Sequence, residues 1–263
     1  EFYTKDWNLF VEYNIVDVEL VDRLEEKMKL INLIITMAYN AKCNYIDIFS
    51  SVRTWDCIIY NHLHKKNIIP ENPFDSEKKK ENDRMIMGAF VKDPKPEKYD
   101  WVVSFDATSL YPSIMMTFNM SPDTLIDRMK HLNDDEKSIQ KLINGEVVTN
   151  QLFEDDVTMV ANGQCFRKDK MGMLPELINY YFDMRQKVKK EMIDAQKRND
   201  LEHVTSLNSK QMAAKILMNS LYGASGNIYF RFYDTRIAEG ITMTGQYIIR
   251  YVAKKLNEYL NKV

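Results

Sequence analysis

Asp106 follows the apolar run Trp101-Val-Val-Ser-Phe105 and precedes the turn-forming stretch Ala107-Thr-Ser-Leu-Tyr-Pro-Ser113. A carboxylate in that position suits a divalent metal. Phosphoryl transfer needs such a cation to neutralise a polyphosphate and to activate the attacking hydroxyl. The chain turns sharply through Ser109, Leu110, Tyr111 and Pro112, and exposed amides in such a turn can cradle phosphate oxygens. A ring such as that of Tyr111, placed beside a nucleotide, excludes one kind of sugar by bulk. Standing alone, the same residues also read as a capped strand-to-helix turn with a buried tyrosine.

Lys215, Asn219 and Tyr222 lie at i, i+4 and i+7 and share one helix face. A cation, an amide and an aromatic in that order suit a phosphate, a base and a stacked base. Ile216, Leu217 and Leu221 take the packing face; without company, this is an ordinary amphipathic helix with a solvated lysine. Arg185 and Lys189 are also four apart, with Lys187 and Lys190 beside them. Two cations on one stripe can clamp a polyphosphate, although basic stripes are commonly solvated faces. Tyr13 and Asp17 repeat the i, i+4 spacing. A phenol beside a carboxylate could orient a metal-bound water for phosphodiester hydrolysis, but the pair alone carries little.

These residues need elements to hold them. Val18, Val21, Leu24, Met28, Ile31, Ile34 and Ile35 recur at helical steps, and Trp55, Ile58, Ile59 and Leu63 suggest a second helix. The polar run Asp75–Arg84 follows Pro70 and Pro73 and reads as an exposed linker. Trp101–Phe105 reads as a buried strand that delivers Asp106 to its end. Ser121-Pro122 reads as an N-cap and N1 pair opening a helix. The charged stretch Asn133–Lys137 is a second irregular region. Pro175 begins a helical stretch to about Asn199, and another runs from about Ser206 to Tyr222, with Gly223 as its C-cap. Two such helices joined by a short polar turn make a projecting hairpin. Ile241, Tyr247, Ile248, Tyr251, Leu256, Tyr259 and Leu260 mark a last helix. The expected class is α+β, a small sheet carrying an acidic site with helices on it and beyond it.

The chain has 263 residues, of which 45% are hydrophobic, enough for one sizeable core or two smaller ones. Its 36 basic and 38 acidic residues argue neither for nor against nucleic acid, which needs a local basic surface rather than a basic total. Cys43, Cys57 and Cys165 show no paired spacing. That argues against a disulfide framework or a zinc site and fits a reducing compartment. No apolar run is long enough to span a membrane and no signal peptide is present, so no membrane association is expected. A start at Glu1 reads as a piece of a longer protein or a processed start.

Together, the Asp106–Ser113 segment, the Arg185/Lys189 pair and Lys215-x-x-x-Asn219-Ser-Leu-Tyr-Gly223 resemble family B DNA polymerases, in the family's order. Asp17-Val-Glu-Leu-Val, Arg53-Thr-Trp-Asp56 and Gly226–Asp234 look most like its T-even-type bacteriophage branch. The resemblance implies a partial palm sheet with a projecting two-helix fingers hairpin, preceded by a helical end of the exonuclease region. Residues 1–30 would end a 3′–5′ exonuclease, 31–84 form a connecting segment and linker, 85–170 begin the palm, 171–228 form the fingers and 229–263 continue the palm.

The same resemblance implies residue roles. Asp106 would be the catalytic ligand to two Mg2+ ions, or Mn2+, with the Ala107 carbonyl as a further contact. Amides of Ser109, Leu110 and Tyr111 would hold the triphosphate, and Tyr111 would be the steric gate against ribonucleotides. Arg185, Lys189 and Lys215 would bind phosphates. Asn219 and Tyr222 would line the nascent base pair, and Gly223 would let the template approach. Tyr13 and Asp17 match the third exonuclease motif, with Asp17 as a metal ligand there. Gly88-Ala-Phe-Val91 resembles a template-contacting segment, although Ile86 stands where the family often has tyrosine. Implied partners are primer-template DNA, dNTP, a sliding clamp and a single-strand-binding protein, in the cytoplasm of an infected bacterial host.

One departure is decisive. The family's Asp-Thr-Asp turn is absent from the sequence, since Asp234-Thr-Arg does not fit it. Two metals about 3.5–4 Å apart need a second carboxylate. The isolated chain is therefore expected to be inactive or nearly so, as a segment or split subunit that needs a partner carrying the rest of the palm and the thumb. Competing readings are a non-catalytic, polymerase-derived DNA-binding subunit, and a free-standing exonuclease supported by Tyr13 and Asp17 alone.

Overall fold

A long helical hairpin organises the structure. In the computed structural model, which describes residues 2–70, 86–100, 102–129, 132–147 and 156–260, its arms are α7 (Met173–Lys197) and α8 (Leu201–Ser225). Here α1 to α6 are Phe2–Lys5, Trp7–Met28, Leu30–Ala41, Ser51–Lys65, Leu110–Thr117 and Glu136–Asn144, and α9 is Thr235–Leu260. Pro175 sits in the first turn of α7, where its missing N–H costs nothing. Asn199 turns the chain with a left-handed φ of 55°, and the Asp200 carboxylate accepts the His203 amide at 3.1 Å to start α8. The tip is solvated, with Leu201 77% exposed, whereas Leu174, Ile178, Ala213, Leu217 and Leu221 are buried at the base.

That base is closed by α4. Trp55 is 0% exposed, its Nε1 lies 3.0 Å from both the Leu217 carbonyl and Ser220 Oγ, and its ring meets Tyr181 edge-on at 6.0 Å. Asp56 beside it accepts from Arg231 Nε at 2.8 Å. Thus one short helix fastens both arms of the hairpin and the segment that leads to α9. The same core continues through Phe166, Phe230 and Ile241.

Three short antiparallel strands, β1 (Leu125–Arg128), β2 (Val157–Met159) and β3 (Gln164–Arg167), form a sheet in the order β1-β3-β2. Thr158 pairs with Phe166, and the β1–β3 register is irregular between Leu125 and Arg128. The architecture is α+β, as the sequence pattern leads one to expect.

Several local expectations are corrected. Val102–Phe105 forms no strand: Val102 is 79%, Val103 74% and Phe105 69% exposed. A strand exists only when its backbone groups find a partner, and none of the described strands pairs with this run; Trp101 lies outside the described residues. The acidic residue Asp106 is consequently not on the sheet. Ser121-Pro122 opens a turn that leads into β1 rather than a helix. Ser121 hydrogen-bonds the Asp123 carboxylate. Its Oγ also accepts the Leu174 amide at 3.2 Å, while Asp123 accepts the Met173 amide at 3.1 Å. The cap therefore serves α7, about fifty residues away in sequence. Gly172 makes this possible, because a Cβ there would lie 2.6 Å from that of Ser121. Gly223 does not end α8, which runs on to Ser225 because Ala224 and Ser225 are buried. The apolar steps from Val18 to Ile35 span two helices, broken at Lys29 with a left-handed φ of 53°. The expected linker Asp75–Arg84 lies outside the described residues, and Asn133–Asp135 leads directly into α6, where Asp135 caps the helix.

Candidate active site

Tyr111, Tyr222 and Gly245 meet where α5, α8 and α9 converge. The two tyrosine rings are 4.7 Å apart between centroids and tilted by 51°. Both are half-buried, and burial pushes their phenols up from the ordinary tyrosine range; for Tyr222 the neighbouring Tyr111 adds to the effect. They stay neutral donors at any physiological pH. The sequence reading gave these tyrosines to one nucleotide, and the fold brings them into contact.

The turn before Tyr111 is held in place locally. Ser109 has the left-handed angles φ 50° and ψ 55° and makes no side-chain cap. Ser113 closes the turn, its Oγ donating to the Thr108 carbonyl at 3.0 Å and its amide to that of Ser109 at 2.9 Å. First-turn amides such as those of Leu110 and Tyr111 have no acceptor within their helix. Such amides, with the positive end of the helix behind them, suit an anion.

On α8, Leu217, Met218 and Leu221 are fully buried while Lys215 and Asn219 are exposed. The helix thus presents Lys215, Asn219 and the Tyr222 edge on its outer side. Nothing lies within 4 Å of where a Gly223 Cβ would project, so the surface beside Tyr222 is open. On α7, Arg185 is half-buried and reaches across the hairpin, with its Nε 3.5 Å from Gln211 Oε1. Gln211 is itself held by Asn208 at 2.9 Å. Lys189, one turn on, is exposed, as are Lys187 and Lys190.

α9 supplies a contribution that the sequence reading missed. Thr242, Gln246 and Arg250 make one stripe at four-residue steps. Thr242 Oγ1 donates to the Met87 carbonyl at 2.7 Å, Gln246 Nε2 to the Gly88 carbonyl at 2.7 Å, and the Arg250 guanidinium lies 4.3 Å from the Phe90 ring centre. This stripe fixes Gly88 and its neighbours along α9. Gly245, on the same helix, approaches Tyr111 closely. The available signals were polar residues at helical spacing in an otherwise apolar run, and a glycine inside a helical pattern, which usually has a packing reason.

Asp106 and the carbonyl-bearing Ala107 lie on the exposed segment before α5. Among the described residues, no group of three or more His, Cys, Asp or Glu side chains could hold a metal ion. One carboxylate does not fit a two-metal centre, so the described residues do not complete one. Tyr13 and Asp17 lie on α2, where no residue is buried. No helix among the described residues is long and apolar enough to cross a membrane.

Comparison with known proteins gives this arrangement its family. A model of DNA polymerase family B matches residues 44–263. The chain belongs to that family. It is 32% identical to the DNA-directed DNA polymerase of Escherichia phage RB69 and 34% identical to that of Enterobacteria phage T4, in each case over 97% of this chain and 32% of the relative. The chain thus spans about a third of the length of these phage relatives. The family B DNA polymerase of the hyperthermophilic archaeon Pyrobaculum calidifontis shares the fold, with a TM-score of 0.63 and 23% identity over 89% of this chain and 28% of that one. This family B chain is thus similar in sequence to phage polymerases and carries a polymerase-type α+β fold.

Proposed function

We propose that the chain supplies the nucleotide-handling half of a DNA-directed DNA polymerase active site. The observation that carries this reading is the Tyr111–Tyr222 contact, which joins the turn after Asp106 to the outer face of α8. In this reading residues 171–228 are the fingers, residues 85–170 and 229–263 belong to the palm, and residues 1–30 end an exonuclease domain.

Each residue has a physical task. Arg185, Lys189 and Lys215 offer cations to a triphosphate along the hairpin. The amides of Ser109, Leu110 and Tyr111 receive its oxygens. Asn219 and Tyr222 bear on the new base pair, Gly223 leaves room for the template strand, and Gly88 is held by Gln246 where that strand would run. Tyr111 rejects a ribose by bulk. Tyr13 and Asp17 would serve the exonuclease. Asp106, with the Ala107 carbonyl, gives one side of a site for divalent cations, Mg2+ by the family reading. A second carboxylate pair must come from another polypeptide segment, together with the thumb. Primer-template DNA and dNTP are the substrates, in replication within an infected bacterial cell.

Primer extension tests this. The chain alone is expected to extend a primer little or not at all. The chain joined to, or mixed with, a polypeptide carrying the second carboxylate pair and thumb is expected to extend a primer. Asp106→Ala should then lower the rate by on the order of a thousandfold or more, as loss of a charge-stabilising group does. Strong extension by the chain alone, or an unaffected Asp106→Ala enzyme, overturns the proposal.

A further inference from the structure

We propose that Gly245 is a positioning residue for the Tyr111 ring and, through it, for sugar selection; this rests on reading Tyr111 as the sugar gate. A Cβ at position 245 would lie 3.1 Å from Tyr111 Cε1, and 3.8 Å from both Ile114 Cδ1 and Leu110 Cδ2. The first distance is tighter than ordinary van der Waals contact, so the ring or the helix must give way by a few tenths of an ångström. The same ring meets Tyr222, with the two ring centres 4.7 Å apart. Tyr111 therefore packs closely on both the bare backbone of α9 and the Tyr222 ring.

The helix is the less free of the two to move. Thr242 and Gln246 bracket Gly245 and are bonded to the carbonyls of Met87 and Gly88. Thr244 Oγ1 accepts the Ala161 amide at 3.0 Å. Met243, Thr244 and Gln246 are all buried. Close-packed interiors transmit such strain rather than absorb it. A methyl group at Gly245 thus displaces the half-buried Tyr111 ring from its setting against Tyr222. The glycine is what lets the ring sit where it does, and the hydrogen bonds of α9 keep that setting constant.

The test uses the polymerase polypeptide or assembly that contains this chain, and measures kcat/KM for a dNTP and for the matching rNTP. Gly245→Ala is expected to shift the deoxy-to-ribo ratio by at least about threefold, since small misplacements at a reacting centre are strongly felt. In a Tyr111→Ala background the same change should leave the ratio where Tyr111→Ala put it. An unchanged ratio in Gly245→Ala, or an equal shift in both backgrounds, overturns the inference. If Tyr111→Ala alone leaves the ratio unchanged, the gate reading fails, and the inference with it. Should Gly245→Ala fail to fold, the double variant Tyr111→Ala/Gly245→Ala is expected to recover folding, because the clash is gone; absence of that recovery also overturns the inference.

Discussion

α2 and α8 make an instructive pair. Each carries an aromatic residue and a polar partner at helical spacing: Tyr13 with Asp17 on one, Tyr222 with Asn219 and Lys215 on the other. No residue of α2 is buried, and its apolar residues Ile15, Val18, Val21 and Leu24 are all about half-exposed or more. α8 sinks Leu217, Met218 and Leu221 completely and meets Tyr111 through Tyr222. Spacing alone therefore proposes a site, and packing decides which proposal becomes a geometry. Helical stability comes mostly from an apolar face docked on something, and of these two helices it is α8 whose apolar face is buried within the described residues.

Two tryptophans carry the contrast between packed and exposed helices. Trp55→Ala removes a fully buried ring and its hydrogen bonds to α8, and should cost roughly 3–5 kcal/mol of stability. Trp7, the first residue of α2 and 62% exposed, should cost within about 0.5 kcal/mol on the same change. Urea unfolding of the two variants measures the difference. Equal losses would mean that α2 is as well packed as α4.

A smaller effect lies at the outer side of the hairpin base. Burial, and then nearby Lys66, lowers the His62 pKa below its ordinary 6.5, although Glu176 Oε2 at 3.3 Å works against this. The unfolded chain therefore takes up the proton more readily. This contribution is present above about pH 6.5 and is lost as pH falls through the lower folded value. The site is partly solvated, so the effect is expected to stay well under about 1 kcal/mol. Thermal unfolding between pH 7 and pH 5 should show a shallower decline in His62→Gln than in the parent chain; a steeper decline contradicts the assignment.

Much of the hairpin was readable from sequence. Pro175 marks the start of α7, and the apolar face of α8 is the one that Leu217 and Leu221 propose. What failed did so for want of non-local information. Val102 and Val103 look like strand residues, but a strand needs a partner backbone, whereas the strands that do form, such as Gln164-Cys-Phe-Arg167, carry a weak pattern. Ser121-Pro122 looks like a local cap and N1 pair, but the Ser121 hydroxyl, with Asp123, serves α7. Gly223 has the composition of a helix end, yet burial of Ala224 carries α8 past it. The site shows the same division. Tyr111, Lys215, Asn219 and Tyr222 are distinctive by type and order, while Gln211, Gly245 and the Thr242–Gln246–Arg250 stripe act through neighbours that only the fold supplies.

We propose that the outer face of α7 and α8 handles the incoming nucleotide. Steady-state primer extension with Lys215→Ala, in the polymerase that contains this chain, tests it most directly. Loss of a charge-assisted phosphate contact is worth about 1.5–3 kcal/mol. KM for dNTP should therefore rise by roughly 10- to 100-fold, while the Kd for primer-template DNA stays the same. An unchanged KM for dNTP, or a weakened Kd for DNA in its place, would contradict the account.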